Sequence, residues 1–176
     1  MILAAGRGER LMPLTKKIPK PLIRINGESL LERHLKQLKL SGFAEVVINT
    51  SYLGSMIEET IGHGDRYGLT ISYSREPAAP LETAGAVLKA LPLLGKAPFL
   101  LINGDIWTDM SFGQLKSNSN YPYLVLVPNP KYSSEGDFSV DGPWVMRTNK
   151  NLYTYSGIGI YHPAFFSHVT NERQPL

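Results

Sequence analysis

Four consecutive apolar residues, Phe99–Ile102, constrain the fold of this chain more than any other feature. A strand that is apolar at every position is typical of a parallel sheet covered by helices on both faces. The other predicted strands also alternate with helical patterns along the chain; they are Met1–Ala4, Glu45–Ile48, Leu69–Tyr73 and Tyr123–Val127. This order predicts an α/β fold, a doubly wound and mostly parallel sheet that binds ligands beyond the carboxyl ends of its strands.

Three helices are predicted between these strands. Ser29 and Glu32 have the spacing of a capping box, and the helix they begin continues through leucines at helical spacing to Gly42. Ser51 is predicted to cap a second helix that ends at Gly62, and Glu82–Leu91 is predicted as a third helix that stops before Pro92. The last third, from about Gly136, has the pattern of antiparallel additions around an Asp141-Gly142 turn.

Length and composition limit the possible classes of protein. The 176 residues predict one globular domain over 1–176, and the absence of cysteine excludes disulfides and favours a reducing, cytoplasmic compartment. No apolar run approaches the length of a membrane span, so no membrane association is expected. The four histidines lie far apart and lack metal-ligand spacing, which makes them ordinary core or surface residues.

Positive charge is concentrated in one loop. Six Lys/Arg residues and a single acid, Glu9, lie between Arg7 and Arg24, which gives this stretch a charge of +5, whereas the whole chain is only +3. The cations do not follow a helix and do not alternate with aromatic residues, so nucleic-acid binding is not expected. A local positive loop instead indicates a small anionic ligand.

The same loop has the chemistry of a phosphate site. Gly6 and Gly8 directly follow the first strand, where glycine allows backbone N–H groups to approach an anion closely. The pattern is neither the dinucleotide fingerprint, because position 11 is leucine, nor a P-loop. Three prolines stiffen the loop and would hold Arg10 and Lys20 over a polyphosphate. A solvated basic surface loop is equally compatible with the composition alone.

Several motifs resemble those of the sugar-1-phosphate nucleotidyltransferases. The pattern L-A-A-G-x-G-x-R-x-x-P-x-T occupies Leu3–Thr15 and is followed by P-K-P-L at Pro19–Leu22. Further matches keep the family's order, and they are Pro80–Gly85, Asn103–Asp105, Gly136–Phe138 and Tyr155–Gly159. The resemblance covers essentially the whole chain and implies a Rossmann-like, three-layer fold of the nucleotide-diphospho-sugar transferase type.

The resemblance implies a role for each matched residue. Arg10 would hold the departing phosphates, Lys20 would bridge the α-phosphate and the sugar phosphate, and Asp105 would ligate Mg²⁺. The implied nucleotide-binding residues are Leu3, Ala4, Ala5, Gly6, Arg7, Gly8, Glu82, Thr83, Ala84, Gly85 and Asn103. The implied sugar-binding residues are Gly136, Asp137 and Ser156. The partners would be a nucleoside triphosphate and a sugar 1-phosphate, while the oligomeric state stays open.

Within the family, the chain is most similar to the branch that uridylylates N-acetylmuramate 1-phosphate in cell-wall sugar recycling. The sequence LETAG at Leu81–Gly85 lies between the PLETGG of that branch and the LGTAG of mannose-1-phosphate guanylyltransferases. A guanylyl or other sugar-1-phosphate nucleotidyltransferase, a non-catalytic nucleotide-sensing subunit and a metal-dependent glycosyltransferase are the alternatives. The family's second metal-binding Asp and its sugar-phosphate lysine have no match, so we expect the C-terminal part to be incomplete.

Overall fold

A computed structural model of the chain describes residues 1–79, 81–115, 121–131, 135–169 and 173–176. Its helices are α1 (Leu30–Leu40), α2 (Gly54–Ile61) and α3 (Glu82–Leu94). Its strands are β1 (Ile2–Leu3), β2 (Arg24–Ile25), β3 (Glu28–Ser29), β4 (Glu45–Thr50), β5 (Thr70–Arg75), β6 (Phe99–Asn103), β7 (Tyr123–Pro128), β8 (Ser139–Asp141), β9 (Trp144–Met146) and β10 (Tyr153–Tyr161). Short 3₁₀ turns include Glu9–Leu11 and Lys20–Leu22 in the basic loop.

Six strands form one mixed sheet in the order β5-β4-β1-β6-β10-β7. The first four strands in this order are parallel, and β10 runs antiparallel to both β6 and β7. Ile2 in the centre of the sheet pairs with Ile48 on one side and with Ile102 on the other. The predicted fold class, a mostly parallel sheet of a doubly wound α/β protein, is confirmed.

Apolar side chains cover both faces of the sheet, which makes the molecule three-layered. One core cluster packs α1 and α2 against the sheet and includes Leu35, Ile57 and Ile102. The other cluster packs α3 and the aromatic Tyr161 against the opposite face. Because alternate residues of β6 serve the two clusters, every position of Phe99–Ile102 is buried, as the apolar run predicts.

The predicted helix starts and ends are only partly correct. Ser29 and Glu32 form the capping box at α1. Ser51 does not cap α2, because its hydroxyl donates to the Pro77 carbonyl at 2.8 Å and the helix begins at Gly54. Helix α3 continues past Pro92 to Leu94, since proline so close to the end removes only one of the last intrahelical hydrogen bonds.

The last third of the chain forms antiparallel structure, as predicted. β8 and β9 pair as a hairpin whose turn contains Gly142 at φ 54°. The pairing of β10 with β7 shifts register between Tyr155 and Gly159. Gly157, inside this irregularity, has φ 82°.

Candidate functional site

A cleft of about 490 Å³ opens at the carboxyl ends of the parallel strands β1, β4, β5 and β6. Twelve of the residues predicted from the sequence line it: Leu3, Ala4, Ala5, Gly6, Arg7, Gly8, Arg10, Lys20, Glu82, Thr83, Asn103 and Asp105. These residues come from four separate parts of the chain. The fold therefore brings the basic loop, the start of α3 and the end of β6 to one place.

The loop after β1 is held in shape around Gly8. Its carbonyl accepts hydrogen bonds from the Thr15 hydroxyl and from the Leu11 N–H, both at 2.9 Å. Gly8 has φ 63°, and a Cβ atom at this position would lie 2.9 Å from Thr15 Cγ2. Only glycine fits here without strain. Arg10 lies on the 3₁₀ turn that follows Gly8, exposed at the rim of the cleft.

Lys20 and Asp105, 85 positions apart in sequence, form an ion pair across the cleft. Asp105 reaches this position because Gly104 packs directly on the end of β1, with its N–H donating to the Leu3 carbonyl at 2.8 Å. A Cβ at Gly104 would lie 2.6 Å from that same carbonyl oxygen. The positive side chain expected to contact phosphates and the carboxylate expected to ligate a metal are thus direct neighbours.

Helix α1 anchors the chain that follows Asp105. Gln37 donates to the Thr108 carbonyl at 2.9 Å, and Arg33 donates to the same oxygen at 3.3 Å. The Arg33 guanidinium also lies 4.2 Å from the centre of the Trp107 ring. His34 is fully buried, and this burial lowers the pKa of its imidazole to about 4. It is neutral at neutral pH and belongs to the core.

The start of α3 reaches the cleft with only two of its predicted residues. Glu82 and Thr83 line the cleft, and Glu82 has an unusual φ of 61°. Ala84 and Gly85 differ from the expectation: both are buried in the first turn, and their N–H groups donate to the Gln174 carbonyl at 2.9 and 3.2 Å. Pro80, which begins the motif, lies outside the described residues.

Asn49 and Glu76 line the cleft and were missed by the sequence analysis. Asn49 ends in an amide whose Oδ1 accepts from the Ala4 N–H at 2.7 Å and whose Nδ2 donates to Glu76 Oε1 at 2.6 Å. The other Glu76 oxygen accepts from the Leu81 N–H at 3.1 Å. The only available signal was positional, since each residue is polar and lies at or just beyond the carboxyl end of a parallel strand.

The residues predicted to bind the sugar do not line the cleft. Gly136 packs against the Asn129 side chain, where a Cβ would lie 2.2 Å from Oδ1. Asp137 Oδ2 accepts from the Tyr155 N–H at 2.8 Å, and the Ser156 hydroxyl donates to the Val125 carbonyl at 2.8 Å. The link to the cleft is Gly157, which packs on the side chain of Asn103. Strand β10 therefore adjoins the cleft beside Asn103.

Asp105 is the cleft residue that the family resemblance implies as a metal ligand. Among the described residues, no group of three or more His, Cys, Asp and Glu side chains could together hold a metal ion. Mg²⁺ is commonly bound by one or two carboxylates and completes its shell with water and substrate phosphates. The single Asp105 carboxylate fits such a shared site.

Within the parts of the chain that the structure covers, no helix has the length and apolar character needed to cross a membrane.

Comparison with known proteins agrees with this geometry. The family model described as nucleotidyl transferase matches residues 1–121. The chain is 47% identical, over 178 residues, to the N-acetylmuramate alpha-1-phosphate uridylyltransferase of Neisseria meningitidis serogroup B, covering 96% of this chain and 77% of the relative. It is 27% identical, over 188 residues, to the mannose-1-phosphate guanyltransferase of Hypocrea jecorina, covering 96% of this chain and 50% of the relative.

Solved structures show the same fold. HddC from Yersinia pseudotuberculosis superposes with a TM-score of 0.80 at 22% identity, over 99% of this chain and 80% of that chain.

The cleft and the family match together define a phosphate-handling α/β enzyme, and the chain belongs to the nucleotidyl transferase family. Its similarity to curated relatives is to sugar-1-phosphate nucleotidyltransferases in particular, which confirms the predicted family. The chain spans about half the length of the guanyltransferase.

Proposed function

We propose that this protein transfers the uridylyl group of UTP to N-acetylmuramate 1-phosphate, releasing pyrophosphate. The observation that carries the proposal is the meeting of the glycine loop (Leu3–Gly8), Lys20 and Asp105 in one cleft. The choice of substrates is supported by 47% identity to a relative that is named for this reaction. UTP and cell-wall sugars in recycling are intracellular metabolites, so the proposal places the protein in the cytoplasm.

The reaction requires placement and charge neutralisation more than proton transfer. A sugar 1-phosphate has a second pKa of ~6, so its oxygen is already an ionised nucleophile at neutral pH. This oxygen attacks the α-phosphorus of UTP in line, a new P–O bond forms, and the bond to the β-phosphate oxygen breaks as pyrophosphate leaves. No general base is needed, and fixed cations that reduce repulsion between the phosphates lower the barrier.

Lys20 and Arg10 are the cations that would reduce repulsion between the phosphates. Lys20 is a compact point charge that lines the cleft and would contact the α-phosphate and the incoming sugar phosphate. Arg10, exposed at the rim, has a planar guanidinium that can contact two oxygens of the departing pyrophosphate at once. The Lys20 ammonium has three N–H donors, so it can contact phosphate oxygens beside its bond to Asp105.

Asp105 is the residue that would hold Mg²⁺ together with the phosphates of the nucleotide. The ion would supply positive charge to the phosphoryl oxygens as negative charge shifts toward pyrophosphate. Lys20 contacts Oδ2 of Asp105, so the second carboxylate oxygen would offer the hard ligand that this ion prefers.

The remaining assignments are those that the family resemblance implies, and only some of these residues line the cleft. The backbone of Leu3–Gly8 would contact the phosphates and ribose, while Glu82, Thr83 and Asn103 would contact the rest of the nucleotide. Ala84 and Gly85 would support these contacts from the first turn of α3. Gly136, Asp137 and Ser156 would face the sugar beside Asn103.

A guanylyl transfer to another sugar 1-phosphate is the second candidate. It is favoured by the LETAG sequence at Leu81–Gly85, which shares its last three residues with the guanylyltransferase motif, and by the similarity to the mannose-1-phosphate enzyme. A non-catalytic nucleotide-sensing role would keep the fold and the cleft but would not produce pyrophosphate.

The decisive experiment measures pyrophosphate release from a matrix of substrates. Five nucleoside triphosphates (UTP, GTP, dTTP, ATP and CTP) are combined with the 1-phosphates of N-acetylmuramate, glucose, mannose and N-acetylglucosamine, each in Mg²⁺ and in EDTA. We expect release only with UTP, N-acetylmuramate 1-phosphate and Mg²⁺ together. Release with GTP and mannose 1-phosphate would support the second candidate, and silence from a protein that binds UTP would support nucleotide sensing.

A further inference from the structure

A chain of three hydrogen bonds joins the two loops that enclose the nucleotide cleft. It runs from the Ala4 N–H to the Asn49 amide, on to the Glu76 carboxylate, and ends at the Leu81 N–H, with lengths of 2.7, 2.6 and 3.1 Å. Ala4 belongs to the glycine loop and Leu81 to the entry of α3. Asn49 and Glu76 lie between them at the ends of β4 and β5.

We propose that Asn49 and Glu76 are positioning residues that set the spacing of the two nucleotide-binding loops. We call the chain of bonds from Ala4 to Leu81 the loop relay. The inference rests on the proposed function, because it assigns these loops to the nucleotide. Glu76 holds the Leu81 end directly, and the Asn49 amide connects its carboxylate to the Ala4 end.

The direction of each hydrogen bond in the loop relay is fixed by the two backbone groups at its ends. Ala4 N–H only donates, so Asn49 presents Oδ1 to it and turns Nδ2 toward Glu76. Leu81 N–H also only donates. Glu76 therefore has to accept at both of its oxygens, which a carboxylate does and a glutamine amide does not.

Burial makes a mismatch in the loop relay costly. Asn49 is only 3% exposed, so its amide has little access to water as a replacement partner. A carboxylate next to a polyphosphate also carries electrostatic repulsion, which the two donated hydrogen bonds offset. Glu76 lines a cleft that otherwise suits anions, and its role in positioning the two loops explains this placement.

The loop relay can be broken and then restored by exchanging the two side-chain types. Glu76→Gln places an amide donor against either the Asn49 amide or the Leu81 N–H. Asn49→Asp places two carboxylates against each other. In the double variant Asn49→Asp/Glu76→Gln, Asp accepts from Ala4 and from the new amide, and the Gln oxygen accepts from Leu81. All three hydrogen bonds and the net charge are restored.

The experiment measures UTP binding by calorimetry for the wild type, both single variants and the double variant. We expect each single variant to raise the Kd for UTP about tenfold or more, which is typical for loss of a hydrogen bond to a charged group. The double variant should return to within about threefold of the wild type. Glu45→Gln, an exposed acid at the start of β4, is the control and should leave Kd unchanged.

Two further readouts separate positioning from general stability. In steady-state kinetics the single variants should raise the KM for UTP more than they lower kcat. Without any ligand, hydrogen exchange at the Ala4 and Leu81 amides should be faster in each single variant and slow again in the double variant. If a single variant fails to fold, recovery of folding in the double variant tests the same relay.

The outcomes distinguish this inference from the proposed function. If the double variant binds UTP as weakly as the worse single variant, or if Glu76→Gln binds UTP like the wild type, the positioning role is wrong. If the wild type binds neither UTP nor GTP while the exchange data follow the loop relay, the nucleotide assignment fails and the relay stands as a structural link between the loops.

Discussion

The parallel end of the sheet (β5, β4, β1 and β6) and its antiparallel end (β10, β7 and the adjoining β8–β9 hairpin) differ in how they use their polar residues. At the parallel end, side chains from the glycine loop, β4, β5 and β6 converge on one cleft, and Lys20 pairs directly with Asp105. At the antiparallel end, Asp137 and Ser156 bond to neighbouring backbone, and the β8–β9 hairpin is largely exposed. The polar groups of the parallel end thus face one cleft, whereas those of the antiparallel end mainly secure strands.

This difference predicts the largest mutational effect at Lys20. Lys20→Met keeps the aliphatic side chain but removes the charge that would stabilise the transferring phosphates, so we expect kcat to fall by about 10²-fold or more. Asp105→Asn should produce a loss of similar size. Both are measured as pyrophosphate release at saturating substrates. Lys17→Met, an exposed cation of the same loop, is the control and should retain activity within a few-fold.

The turnover of these two variants also tests whether the parallel end is the catalytic end. If Lys20→Met and Asp105→Asn each left turnover close to the wild type, the parallel end would not be the catalytic end. The contrast between the two ends of the sheet would then be structural only.

Two glycines, one in the loop after β1 and one in the turn of the separate β8–β9 hairpin, provide a matched test of local packing. Gly8 and Gly142 both have positive φ, 63° and 54°, but a Cβ would meet Thr15 Cγ2 at 2.9 Å at the first position and open space at the second. Gly142→Ala should therefore lose only the backbone term, about 1 kcal/mol. Gly8→Ala adds overpacking and should lose about 2–3 kcal/mol. The free energy of unfolding in urea measures both.

The KM for UTP should also distinguish the two glycine variants. Gly8→Ala distorts the loop that faces the nucleotide, so the KM for UTP should rise, whereas Gly142→Ala should leave it unchanged. Equal losses of stability in the two variants would contradict the close packing of Gly8 against Thr15.

The parallel end was also the easier one to predict from sequence. The glycine loop is contiguous and follows a strand, so its local pattern indicated Gly6, Gly8, Arg10 and Lys20. The resemblance to the family added the rest of 3–8 and Asp105. Both sets of residues line the cleft. A parallel sheet makes such predictions possible, because loops at the carboxyl ends of its strands necessarily meet.

Other parts of the site depend on tertiary contacts that leave no local pattern. Asn49 and Glu76 are single polar residues whose role depends on bonds to Ala4 and Leu81. Ala84 and Gly85 match the nucleotide motif, yet their N–H groups bond to Gln174, about ninety positions away. The predicted start of α2 was wrong for the same reason, since the Ser51 hydroxyl donates to the Pro77 carbonyl instead of capping the helix.

The smallest expected effect is at Asp137, on the antiparallel end. One oxygen of its carboxylate accepts from the Tyr155 N–H at 2.8 Å, and the residue is exposed, so its second oxygen is available to a sugar hydroxyl. Asp137→Asn keeps an oxygen for the backbone bond but replaces the other acceptor with a donor. We expect the KM for the sugar 1-phosphate to rise about tenfold and the KM for UTP to stay unchanged.

Asp141→Asn, at the exposed turn of the β8–β9 hairpin, is the matched control for Asp137, because it makes the same chemical change outside the expected sugar site. It should change neither KM. If Asp137→Asn behaves like this control, the GDF stretch at 136–138 serves only the pairing with β10. If it raises the sugar KM alone, the antiparallel end binds substrate through groups that also secure its strands, which would explain why sequence and fold indicate it less clearly than the phosphate cleft.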